Sequence, residues 1–190
     1  SASYSAEEAV LMRLLAGWLN DSLNESLYPA WLAGQSFTAY AHARGMTLSF
    51  SGWRDGQTPL IEQALEQLQQ ADISTGAFER VRYQLQREWR NAPQASLTGQ
   101  ASRALGEALL TPQWSTAELL EASQRLEKRH LENFRRRFLD DLYIDAMAVG
   151  NLSDELARRE GLQIANALVP RLHAEDIPPL APLAIPETPP

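Results

Sequence analysis

The stretch "SFTAYAHARGMTLSFSGW", residues 36–53, is where the chain changes its period. Phe37, Ala39, Ala41 and Ala43 fall on one side of an extended backbone, and Ser36, Thr38, Tyr40 and His42 fall on the other. Arg44 followed by Gly45 is a turn signal. Beyond it Met46, Leu48 and Phe50 again share one face. Two alternating runs around a short turn predict an antiparallel hairpin with a single apolar face. That face needs a cover, and the rest of the chain reads as helix.

Upstream, Leu11, Leu14, Leu15, Trp18 and Leu19 recur at helical spacing. Ser22 and Ser26 continue the stripe as small residues, and Ser5 with Glu7 and Glu8 starts it. The spacing predicts a helix over residues 6–27 that Pro29 ends or kinks. Downstream, Thr58 and Pro59 open a helix carrying Leu60, Ile61, Ala64, Leu65 and Leu68. Ser74 or Thr75 opens another, with Phe78, Val81, Leu85 and Trp89 along one side. Further helices are expected over residues 97–110, after a Ser115/Glu118 capping box, and in "LEKRHLENFRRRFL". "DLYIDAMAVG", residues 141–150, reads as a third strand. Asn151 or Ser153 then starts a last helix, which stops at Pro170.

Strands and helices are largely segregated along the chain. The expected class is therefore α+β, an antiparallel-rich sheet with helices packed on one face. Three strands make a thin sheet for so much helix, so upstream strands are expected before Ser1. The domain is placed over residues 1–172. Residues 173–190, with six prolines after Ala174, are expected to form a Pro-rich linker or tail. Both ends read as cut from something longer.

Composition narrows the function. The 190 residues carry a formal charge of −7, against the basic excess of a nucleic-acid binder. There is no cysteine, hence no disulfide, thiolate zinc site or thiol nucleophile. No apolar run reaches membrane-spanning length, and no signal peptide is visible. Neither nucleic acid nor a membrane is an expected partner. The compartment stays open between bacterial cytoplasm and periplasm.

Candidate chemistry is sparse. Asp21 and Glu25 are four apart, stacking two carboxylates on one helix face, as a metal pair or an acid–base pair would. The competing reading is a solvated or interface face. His42, His130 and His173 have no ligand spacing among them. Asp140, Asp141 and Asp145 flank and enter the expected third strand, where Asp145 is a possible catalytic carboxylate or, more simply, a cap or ion-pair partner. "ENFRRRF" is a short basic cluster, read as a solvated helix face or as a contact for an acidic peptide. Gly-rich phosphate loops and nucleophile elbows are absent. Residue chemistry alone assigns no catalytic, cofactor-binding or metal residue.

Four stretches carry a family resemblance: "LLAGWLNDSLNESLYPAWLAGQSF", "GMTLSFSGWRDGQTPLIEQALEQL", "FERVRYQLQREWRNA" and "MAVGNLSDELA". In this order they resemble the first domain of the C-terminal half of the pitrilysin/insulysin family, the inverted zincins. The resemblance implies a metallopeptidase-like domain of the pitrilysin/mitochondrial processing peptidase type. It implies a parent with four homologous α+β domains closing around a chamber for peptides. Zinc is then held in the parent's first domain by His-x-x-Glu-His and a later Glu. The helix here that stands in the zinc-helix position has no His between Leu19 and Ala30. This copy is therefore expected to be non-catalytic, with the parent's other domains and its peptide substrate as partners. Within the family the reading leans toward the bacterial protease of pyrroloquinoline quinone (PQQ) biosynthesis, beside pitrilysin-type general oligopeptide degradation. The competing classes are a stand-alone peptide-binding module and an enzyme using Asp21, Glu25 or Asp145.

Overall fold

A computed structural model describes residues 5–24, 26–53, 57–94, 96–111, 113–169 and 181–182. The chain runs α1 (Ala6–Asn24), α2 (Tyr28–Leu32), β1 (Ser36–His42), β2 (Gly45–Ser51), α3 (Gln57–Gln70) and α4 (Thr75–Asn91). It continues through α5 (Leu97–Leu109), β3 (Leu110–Thr111), α6 (Thr116–Arg125), α7 (Lys128–Asp140), α8 (Asp154–Leu168) and β4 (Ala181–Pro182). The class is α+β, mostly helical, around a small two-stranded antiparallel sheet.

The hairpin forms in the register that the alternation requires. Phe37 faces Phe50, Ala39 faces Leu48 and Ala41 faces Met46, so the apolar residues share one side. The Phe37 and Phe50 rings lie 5.2 Å apart. Ala39, at the middle of β1, is buried against α1.

Helix α1 is the centre of the domain. It packs against β1, β2, α3, α4, α6 and α7. The spacing of its Leu and Trp residues suggests one stripe, yet Val10, Met12 and Ala16 are buried as well. A helix that is apolar on nearly all sides belongs inside. Gly17 makes one of these contacts possible: a Cβ there would sit 2.6 Å from Val81 Cγ1 on α4. Trp18 is fully buried, with the Arg135 guanidinium 5.4 Å from its ring centroid. Arg135 also donates to the Ala71 carbonyl at 2.5 Å, so one arginine ties α7 to α1 and to the end of α3.

The caps explain most boundaries. The hydroxyls of Ser5, Ser74, Ser115 and Ser153 accept from backbone N–H groups three residues on. Ser115 and Glu118 form the full capping box. Two boundaries differ from expectation. α1 stops at Asn24 rather than near residue 27, and Pro29 lies in the first turn of the separate α2, where its missing N–H costs nothing. α3 already includes Gln57, so Thr58 lies inside the helix, where its hydroxyl donates to Glu160 of α8 at 3.3 Å.

The expected third strand is corrected. Residues 142–149 take no strand assignment, and Met147 and Val149 are 89% and 81% exposed. Its β-branched and aromatic residues suit a pleated surface, but that preference is realised only against a neighbouring strand. None lies beside the segment among the described residues. Of the Pro-rich tail, Ala181 and Pro182 are described, and they pair antiparallel with Thr111 and Leu110.

Candidate functional site

The polar end of α1 was the strongest candidate in the sequence, and Asn20, Asp21 and Ser22 there already have protein partners. Asn20 donates through Nδ2 to the Ala39 carbonyl at 2.7 Å. Its Oδ1 accepts the Ala39 N–H at 2.8 Å. The side-chain amide thus meets both backbone groups of Ala39, as the peptide group of another strand would. In the hairpin register Ala39 and Leu48 are a pair whose backbone groups point away from each other, so these bonds fall on the outer edge of β1.

Asp21 pairs with Arg80 of α4 at 2.6 Å. Ser22 and Ser26 donate back to the carbonyls of Leu19 and Leu23. Glu25 lies outside the described residues. Asp21 therefore offers an ion pair between helices rather than a free metal ligand.

The histidines do not converge. Partial burial lowers the His42 pKa below the ordinary imidazole value, and the nearby Arg44 charge adds to it. Its Nδ1 accepts the Arg44 N–H in the hairpin turn, at 3.3 Å. His130 Nδ1 accepts the Glu127 N–H at 2.9 Å, so it caps the start of α7. His173 lies outside the described residues. Asp141 is the C-cap of α7, and Asp145 is exposed on the unpaired segment after it. Among the described residues, no three His, Asp or Glu side chains are grouped to hold a metal ion. Between Leu19 and Asn24 the described part of α1 has no histidine, and its one carboxylate, Asp21, is held by Arg80, a donor set that does not fit zinc.

The arginines of "ENFRRRF" divide their work. Arg135 turns inward onto Trp18, Arg136 binds Asn133, and Arg137 approaches Glu8 at 3.8 Å. Beside α1, Tyr28 and Trp31 stack with ring centroids 5.9 Å apart on the exposed face of α2. Trp53 is exposed near Gly34, and its carbonyl accepts from the buried Gln35 amide at 2.6 Å. Sequence reasoning passed over Asn20 and Arg80. Each is polar at a helical position, and its partner lies 19 or 59 residues away, where no local pattern points.

A family model described as the middle or third domain of peptidase M16 matches residues 1–122. The chain is 28% identical over 161 residues to the insulin-degrading enzyme of Homo sapiens, covering 85% of this chain and 16% of that protein. It is 25% identical over 174 residues to the insulin-degrading enzyme of Drosophila melanogaster, covering 92% of this chain and 17% of that one. The crystal structure of pitrilysin superposes with a TM-score of 0.76 at 16% identity, covering 89% of this chain and 18% of that one. That likeness carries the fold: the α1, hairpin and helix order seen here is a pitrilysin-type α+β arrangement. With more than half of its residues inside the family match, the chain belongs to the peptidase M16 family, in its middle or third domain.

Proposed function

We propose that this chain is a non-catalytic domain of a larger zinc metalloendopeptidase of the pitrilysin/insulysin type. In this reading it forms part of the wall of the peptide-enclosing chamber and contacts the parent's other domains. The observation that carries it is the polar end of α1. Asn20 holds a strand edge and Asp21 holds Arg80, so the helix is built for packing and not for a metal. The parent's zinc would lie in another domain and supply its Lewis acidity there. This chain's residues contribute shape and contacts.

Strands supplied by the parent would complete the sheet. The mostly exposed residues 143–149 support this, since they carry strand-type side chains without a neighbouring strand among the described residues. A parent that processes the PQQ precursor peptide is the finer reading, resting on the Leu-, Gln- and Arg-rich bacterial character of the sequence. General oligopeptide degradation is its alternative.

Calorimetric zinc titration of the chain tests the proposal. The expected result is no stoichiometric binding and no peptide hydrolysis. Tight one-to-one zinc binding accompanied by peptide cleavage would overturn it.

A further inference from the structure

Charged residues make up 22% of the chain, yet from Ser26 to Trp53 Arg44 is the one Lys, Arg, Asp or Glu. This stretch is not hidden from water. Ser36, Thr38 and Tyr40 of β1 and Ser49 and Ser51 of β2 share the side of the hairpin away from α1, and all five are exposed. Tyr28 and Trp31 are 57% and 62% exposed, and Trp53 77%. Depletion of charge together with enrichment in aromatic rings marks a contact surface. We propose that this face binds an extended peptide, through hydroxyl contacts to its backbone and ring contacts to its apolar side chains, without selecting for charge. The inference rests on the chamber-wall reading and names the part of the wall that meets the peptide.

The rings and the hydroxyls adjoin through Gly34. Its N–H donates to the Trp31 carbonyl at 2.9 Å, and a Cβ on it would sit 3.0 Å from Trp53 Nε1. The indole therefore lies against the backbone that joins α2 to β1, and Gly34, at φ +80°, leaves it room. Tyr28 and Trp31 stack on each other, which holds two rings ready at low entropic cost. The occupant follows from the chemistry. A hydroxyl both donates and accepts, so it can meet a peptide N–H or C=O in any register. The Ser36 and Ser51 hydroxyls, 2.7 Å apart, put both roles side by side. Aromatic faces hold apolar side chains. Without fixed charges the face neither attracts nor repels an acidic or a basic peptide. A docked domain would also need a polar, charged rim, and here only Arg44 could supply one.

Titrating the full chain with a terminally blocked peptide of Ala, Ser, Leu and Phe, followed by amide chemical shifts, tests this. Shifts are expected across residues 28–53 and not in α6 or α7. The Kd is expected to change less than about twofold between about 0.1 M and about 1 M salt, a range over which charge contacts are screened. Trp31→Ala and Trp53→Ala are each expected to weaken binding about fivefold or more, with α1 amides as protected against exchange as before. Ser49→Glu is expected to introduce a preference, binding the same peptide with an added Lys more tightly than with an added Glu. No shifts in residues 28–53 at about 1 mM peptide would overturn the proposal. So would a Kd that rises steeply with salt, or unchanged binding in both tryptophan variants. Shifts in this face that grow with protein concentration, alongside a dimer in sedimentation, would assign it to a second copy and overturn the proposal too. None of these readouts depends on zinc, so this inference and the chamber-wall reading fail separately.

Discussion

Helices α1 and α5 both carry apolar residues at helical spacing, and they end in opposite settings. α1 buries ten of its side chains among six neighbouring elements. α5 buries none of its described ones. The difference lies in what each helix meets. α1 precedes a hairpin whose apolar face needs cover, and α4, α6 and α7 close over its other sides. α5 is followed at once by β3, and no layer lies over it among the described residues. Spacing makes a helix capable of burial, and neighbours decide whether burial happens.

The largest effect should come from the centre of α1. Trp18→Ala removes a fully buried indole and the surface under Arg135, and is expected to destabilise the domain by about 3–5 kcal/mol in denaturant unfolding. A loss under about 1 kcal/mol would mean that α1 is not the core helix. Next is Asn20→Ala. It leaves both the N–H and the C=O of Ala39 without their partner and should cost about 1–3 kcal/mol. A neutral result would mean that water or another group takes over that strand edge.

Arg80→Ala tests the weaker polar contact. Arg80 is 60% exposed, so breaking its pair with Asp21 should change stability by about 1 kcal/mol or less. On the other helix, Leu105→Ala should change global stability by about 0.5 kcal/mol or less, as expected of an exposed helical position. A loss on the scale of Trp18→Ala would erase the contrast between α1 and α5.

The smallest effect concerns the start of α6. The Ser115 hydroxyl and N–H hold the Glu118 carboxyl below its ordinary range. A depressed pKa in the folded state stabilises above the unfolded value, and that stabilisation is lost as pH falls through the folded one. Acidification below the ordinary glutamate range should therefore weaken the cap. Glu118→Gln should flatten that part of the pH profile, read as the difference between the two unfolding curves.

Much of the fold was legible because it is local. The hairpin register follows from alternation over fourteen strand residues, and the serine caps act over three residues. The outer-edge bonds of Asn20, the Asp21–Arg80 pair and the inward turn of Arg135 were not legible. Each joins residues at least 19 apart in sequence and exists only once the helices have packed. The candidate site shows the same division. The absence of His from residues 19–30 could be read directly from the sequence. That Asp21 is held by a cation, rather than open to a metal, needed α4 in place beside α1. The segment 142–149 marks the limit from the other side. Its composition suits a strand, but strand structure consists of hydrogen bonds to a neighbour, and these the segment itself cannot supply. Sequence therefore determined the elements, their caps and the hairpin pairing, because those depend on residues close along the chain. Tertiary structure decided which apolar faces were buried and which polar groups were spent, because those depend on what lies across the gap.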